Sequence, residues 1–308
     1  MFANAKAWLG PGLAAASRPS RTGSLTRGGA SIALEDVSLQ LGVEREATEV
    51  LRGASLHVAA GEFVCLLGPS GSGKSTILNL VAGLTRPSSG RVLRWGTPVA
   101  GPGPDRALVF QDAALFPWLT LEANVEFPLK LQGLSASERA GRVEELLRLV
   151  HLWSFRGRYP HELSGGMRQR GAIARALATD PAVLLMDEPF AALDAQTREI
   201  LQGEVERIWS ATGKTIVFVT HNVREAVRLA DRVVLMGTRP GRILHEETID
   251  LPRPRAAGDP RVAALASGIA DRIAGEVEKV AREEADDAWV APGARRPGDP
   301  RLAVGRGG

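Results

Sequence analysis

Hydrophobic positions along the chain fall into two rhythms. At 32–41 and 50–58 apolar and polar residues alternate, the period of a half-buried strand, with Glu44-Arg45-Glu46 as a polar loop between them. Glu62-Phe-Val-Cys-Leu-Leu67 is instead a continuous apolar run entering a glycine-rich turn, as expected of a central strand buried on both faces. Runs at 183–186, 215–220 and 232–236 repeat that character, and Ala107–Phe110 predicts one more short strand. Ile77, Leu78, Leu80 and Val81 predict a helix that Gly83 ends, and 195–210 and 222–230 also read as helices.

Residues 134–178 break the alternation and are predominantly helical. Ser135 and Glu138 have capping-box spacing, and Val143, Leu146, Leu147 and Val150 mark one apolar helix face. Strands alternating with helices predict an α/β fold with a parallel sheet covered on both faces, and the helical block reads as an inserted subdomain at about 112–178. The expected ordered domain is 31–250. Beyond it, Leu251-Pro-Arg-Pro-Arg255 reads as a linker, 260–285 as a short helix, and the stretch after Trp289 as a disordered basic tail. Residues 1–30 read as a disordered basic extension with transit-peptide flavour; Gly10-Pro11-Gly12 breaks any secretory apolar run.

Charge changes the picture only once it is divided. The net +3 comes from the two ends: residues 1–30 hold four basic side chains and no acid, and 288–308 hold four arginines and one acid. The 257 residues between them carry −4, so the basic balance gives no support to nucleic acid as a partner. The single cysteine, Cys65, excludes an internal disulfide and a cysteine zinc cluster and reads as a small core residue. Trp95 and Trp209 read as packing residues, and Arg239-Pro-Gly241 as a turn. No stretch approaches the ~18 apolar residues of a spanning helix.

Three segments carry chemistry. Gly68-Pro69-Ser70-Gly71-Ser72-Gly73-Lys74-Ser75-Thr76 fits G-x-x-x-x-G-K-[ST] between a strand and a helix. Its glycines let successive N–H groups face a phosphate, the helix adds its positive end, Lys74 supplies a mobile charge, and the Ser75 hydroxyl can ligate Mg²⁺. Val183-Leu-Leu-Met-Asp-Glu-Pro189 is an apolar strand ending in two carboxylates that diverge: Asp187 fits the Mg²⁺ shell and Glu188 the group that polarises an attacking water. Leu163-Ser-Gly-Gly-Met-Arg-Gln-Arg170 opens a helix with Ser164 as N-cap, which makes a second anion site.

Together these segments resemble the ATP-binding subunit of ABC transporters, within the nitrate/sulfonate/taurine importer group. Leu163–Arg170 resembles the family signature, Gln111 in Val109-Phe-Gln111 the Q-loop glutamine, Ala192-Leu-Asp194 the D-loop, and His221 the switch histidine. The resemblance implies a P-loop NTPase core, an N-terminal antiparallel β subdomain and an inserted helical subdomain. It implies ATP and Mg²⁺ as ligands, with Glu188, His221 and Gln111 catalytic and Ser75, Gln111 and Asp187 around the metal. It also implies a head-to-tail dimer in which each ATP lies between one copy's P-loop and the other's Ser164-Gly165-Gly166, with Asp194 nearby. Polytopic membrane permease subunits would hold the dimer peripherally at the cytoplasmic face of the cell membrane, and a substrate-binding protein would act indirectly.

Two local patterns resemble the nitrate, sulfonate and taurine group and its thiamine-pyrimidine relatives: Leu115-Phe-Pro-Trp-Leu-Thr-Leu121 and Gly237-Thr-Arg-Pro-Gly-Arg-Ile243. With 58 residues after Asp250, a further β-rich regulatory domain is expected to be absent. Non-transport ABC ATPases of DNA repair or chromosome maintenance carry a long coiled coil between P-loop and signature, whereas 90 positions separate Lys74 from Ser164 here. A P-loop kinase or other soluble NTPase lacks the signature and His221. One departure stands out: the family's adenine-stacking aromatic position holds Leu41, leaving Phe63 or the N-terminal extension as other sources of a ring.

Overall fold

The computed structural model describes residues 30–42, 47–256 and 258–288. The N-terminal extension up to residue 29, the Glu44–Glu46 loop and the tail after residue 288 lie outside the described residues. Strands β1 (Ala30–Leu41) and β2 (Thr48–Ala59) form an antiparallel pair, followed by β3 (Phe63–Leu67) and helix α1 (Lys74–Ala82). Next come β4 (Ser89–Arg94), β5 (Thr97–Pro98) and β6 (Arg106–Val109), then the helices α2 (Leu121–Leu131), α3 (Ala136–Leu149) and α4 (Gly165–Ala178). The chain returns through β7 (Val183–Asp187), α5 (Ala195–Thr212), β8 (Thr215–Thr220), α6 (Val223–Leu229), β9 (Arg232–Gly237) and β10 (Arg242–Thr248), and ends in α7 (Pro260–Ala288).

Two sheets result. One is antiparallel, in the order β2-β1-β4-β5; the other runs β10-β9-β3-β8-β7-β6, parallel except for the β10–β9 edge. β3 shows why its run is apolar throughout. Phe63, Cys65 and Leu67 face the core shared with the helical subdomain and α5 to α7. Val64 and Leu66 face the core shared with α1 and the antiparallel sheet. The α3 capping box forms as predicted, with Ser135 and Glu138 satisfying each other's backbone N–H. Gly83 ends α1 in the left-handed conformation, its N–H donating to Asn79 and Leu80 carbonyls.

Four features differ from the sequence reading. α2 and the β4–β5 pair have no periodic signal of their own: α2 carries Pro128 inside it, and β4 and β5 are mostly exposed. Trp95 is not a packing residue; it is 47% exposed at a positive φ of 43°, while Trp209 is buried as expected. The helix expected to be short runs for 29 residues and is docked, with Val262, Ala266, Ile269 and Ile273 in the main core. The segment leading to it is tied down too. Arg255 is buried and donates to the carbonyls of Val227, Ala230, Ile249 and Leu251, and burial draws its pKa down to about 10.

Candidate functional site

The parallel strands deliver three loops to one edge of the sheet, at the C-terminal ends of β3, β7 and β8. From Gly68 the chain curls into α1. Gly73 takes φ 83°, and an added Cβ would lie 2.5 Å from Leu51 Cδ2, so both backbone and space require glycine there. Gly71 (φ 77°), Ser70 and Ser75 are exposed, Ser72 is buried beneath them, and Pro69 and Thr76 are half-buried. The loop encircles Lys74, whose Nζ donates to the carbonyls of Gly68 (2.8 Å) and Pro69 (2.7 Å) and to Ser72 Oγ (3.3 Å). Burial lowers the lysine pKa, while Glu188 and Asp187 act to raise it.

Ser75 Oγ donates to Asp187 Oδ1 at 3.0 Å, joining the first turn of α1 to the end of β7. Burial raises the Asp187 pKa, and the Ser75 hydroxyl opposes that. The next residue turns away. Glu188 has φ 42°, its N–H donates to the Val219 carbonyl, and its Oε2 accepts from His221 Nδ1 at 2.9 Å. The adjacent carboxylates thus have separate partners, as a strand end predicts.

Sequence reasoning missed the polar cluster beside His221. Asn222 caps α6 by accepting from the Glu225 N–H, and its own N–H donates to Thr220 Oγ1. The Glu225 carboxylate accepts from Gln202 Nε2 at 2.8 Å, Gln202 Oε1 accepts from Arg228, and burial raises the Glu225 pKa. The available signal was polar residues on mostly apolar helix faces, Gln202 on α5 and Glu225 on α6.

Ser164 is the α4 N-cap, accepting from the Met167 N–H. An added Cβ on Gly166 would lie 2.4 Å from Thr197 Cγ2, so this glycine lets the first turns of α4 and α5 touch. Asp194 caps α5 by accepting from the Thr197 N–H at 2.9 Å, which holds its carboxyl below the usual range. Ser164, Gly165, Gly166 and Asp194 therefore form a second group. Among the described residues no hydrogen bond joins it to Lys74, Ser75, Asp187 or Glu188. Gln111 joins neither group; it is exposed just beyond β6, in a segment tied to α4 by Gln169 Nε2 donating to the Phe110 carbonyl. Leu41 is 52% exposed at the end of β1. Phe63 is fully buried against Trp209 and Phe218 and has no free face for a base, which removes it as the substitute ring.

Comparison with known proteins decides the family. The ABC transporter sequence profile matches residues 51–191. A taurine import ATP-binding protein of Burkholderia pseudomallei is 45% identical over 259 residues, 82% of this chain and 100% of that protein. The chain belongs to the ABC transporter family. A nitrate import ATP-binding protein of Synechocystis is 52% identical over 209 residues, covering 68% of this chain and 79% of that protein. Among solved structures, a dimeric ATP-binding cassette in a post-hydrolysis state with ADP and Pi matches with a TM-score of 0.64 and 35% identity, over 72% of this chain and 100% of that one. This ABC transporter chain is thus an ATP-binding subunit and an ATPase. Among its described residues no helix is long and apolar enough to cross a membrane.

Proposed function

We propose that this chain is the ATP-hydrolysing subunit of an importer for a small anion or organosulfur compound of the nitrate, sulfonate or taurine type. It would work as a dimer on polytopic permease subunits, peripherally at the cytoplasmic face of the membrane. One observation carries the ATPase reading: at the end of β7, Asp187 meets Ser75 while Glu188 meets His221. The P-loop N–H groups and Lys74 bind the phosphates, with Lys74 exchanging its loop carbonyls for β- and γ-oxygens. Glu188 orients the attacking water and takes its proton. His221, its Nδ1–H held by Glu188, can carry a second proton on Nε2 and donate it to a γ-phosphate oxygen. The substrate class rests on the taurine and nitrate import relatives.

The residues present fit Mg²⁺. Ser75 Oγ and Asp187 Oδ1 offer a hydroxyl and a carboxylate oxygen beside the phosphate loop, a donor set that Mg²⁺ completes with phosphate oxygens and water. No group of three acidic, histidine or cysteine side chains among the described residues could hold a metal alone, which suits an ion that arrives with its nucleotide. When bound, Mg²⁺ neutralises charge on the phosphates. Gln111 is assigned to that shell in the closed, partner-bound form.

The permease would dock beside Gln111. A groove of about 440 Å³ there is lined by Phe110, Phe116, Phe127, Leu131 and Arg175. Trp118 stands at its margin, 70% exposed, its ring 5.4 Å from that of Phe116. Such exposure argues against a packing role. Trp118→Ala should leave stability within about 0.5 kcal/mol and weaken permease binding by about 2 kcal/mol, roughly thirtyfold. Thermal unfolding and co-purification would check this; lost stability with intact binding would place Trp118 in the packing instead. The same pull-down tests the importer reading, which expects a polytopic membrane protein in the complex and substrate-stimulated ATP hydrolysis.

Leu41 has a consequence for the base. Leucine covers an adenine face without π-stacking, and stacking on an aromatic is worth roughly 1–3 kcal/mol for bases in single-stranded nucleic acid. ATP and GTP should therefore bind with similar affinity, and Leu41→Tyr should bind ATP more tightly. Titrations of wild type, Leu41→Tyr and a chain lacking residues 1–30 check it. A strong ATP preference that survives the truncation, with no gain from tyrosine, defeats it.

A further inference from the structure

The P-loop rests on a turn that the ATPase reading leaves without a role. An ideal Cβ on Gly241 would lie 2.4 Å from the Ser72 carbonyl oxygen and 2.9 Å from that of Val50. Backbone therefore meets backbone beneath the phosphate loop. The Gly241 N–H donates to the Val50 carbonyl and its own carbonyl accepts from the Arg52 N–H, both at 2.9 Å, which splices the turn to β2. At the other end of the turn, an added Cβ on Gly68 would lie 2.7 Å from the Met236 carbonyl oxygen. Both ends of the P-loop thus sit on the backbone of residues 236–241.

That turn is held from outside by one side chain of the C-terminal helix. Glu276 Oε2 accepts from the Thr238 N–H at 3.2 Å, and Glu276 Oε1 accepts from Arg242 Nη2 at 3.3 Å. The carboxylate also lies against Gly237, where an added Cβ would be 3.0 Å from Oε2. It therefore grips the turn on both sides of Gly241. The helix itself is anchored by Val262, Ala266, Ile269 and Ile273 in the core, so Glu276 acts from a fixed support. Its earlier turns pass the His221–Arg224 segment at Ala263, Ala266, Ser267 and Ala270. One rigid element thus runs from the switch-histidine loop to the support of the phosphate loop.

We propose that Glu276 is a positioning residue for nucleotide binding: its carboxylate fixes the Gly237–Arg242 turn, and the turn fixes Ser72 and Gly73 in the phosphate-binding shape. The partners of Glu276 are Thr238 and Arg242 of the turn, so it acts on affinity through the turn and leaves the chemical step alone. The inference rests on reading Gly68–Thr76 as the phosphate loop.

The test is Mg-ATP affinity, kcat and thermal unfolding of the purified full chain. Glu276→Ala should weaken Mg-ATP binding about tenfold, the order expected when a phosphate loop released from a charged hydrogen bond must be reordered before it binds. It should leave kcat at saturating ATP within about twofold and lower the unfolding midpoint by no more than about 4 °C. Glu276→Gln keeps an oxygen for the Thr238 N–H and loses the charge facing Arg242, so it should fall between wild type and alanine; Arg242→Ala should resemble it. If Glu276→Ala does not fold, these two milder variants carry the test. Unchanged affinity in all variants overturns the proposal, as does a lower unfolding midpoint with affinity intact, which would mark Glu276 as a structural tether only. Lys74→Ala is the control. If it too leaves affinity unchanged, the phosphate-loop reading itself fails; if it abolishes binding while the Glu276 and Arg242 variants bind normally, only this inference fails.

Discussion

Glu188→Gln should bind Mg-ATP with near wild-type affinity and hydrolyse it about 10²–10⁴-fold more slowly, the range of a general-base contribution. The amide keeps the size and hydrogen-bonding reach of the side chain and removes the charged oxygen that takes a proton from water. It also keeps an acceptor for His221 Nδ1–H, which donates to Glu188 Oε2 at 2.9 Å. The position of the histidine should therefore survive. Asp187 and Ser75 are joined on the other side of the strand end and should be undisturbed. Single-turnover hydrolysis and equilibrium binding separate the two effects. Hydrolysis at a near wild-type rate would remove Glu188 from the base role, and loss of binding with loss of turnover would move it into the phosphate site.

The residues of the candidate site were legible in the sequence because their elements are local. Gly68–Thr76 carries its loop, lysine and helix start within nine consecutive residues, and the β7 run ends in its two carboxylates. The sheet order was not legible, since β3 pairs with β8 and β9 from the far end of the chain. Positions fixed by distant neighbours were equally hidden. Gly166 looks like a flexible helix start, yet it is where α4 and α5 touch at Thr197. Gln202 and Glu225 lie 23 residues apart and meet by a hydrogen bond, with Glu225 lining the same cavity as His221. Glu276 is one charge among many in the stretch read as a helix, and only the docked helix brings its carboxylate to Thr238 and Arg242. Trp95 departs from the packing expectation because bulk alone predicts burial, whereas its position in the β4–β5 turn leaves it 47% exposed.

The division of the site into two groups, with no hydrogen bond between Ser164-Gly165-Gly166 and the Lys74, Ser75, Asp187 and Glu188 cluster among the described residues, is the central feature to be explained. In the proposed dimer each group would meet its complement on a second copy. Each substitution in a pair should then disable whichever shared site contains it, at a cost of about 10²–10³-fold where a single stabilising donor is lost. Two copies linked in tandem make this decisive. With Lys74→Ala in one half and Ser164→Ala in the other, both lesions fall on one shared site and the second site stays intact. With both substitutions in the same half, each shared site receives one lesion. The measurement is steady-state ATP hydrolysis by these two tandem proteins. The account predicts that the protein with its lesions in different halves retains turnover and the protein with both in one half loses it; equal rates, or the reverse order, would contradict it.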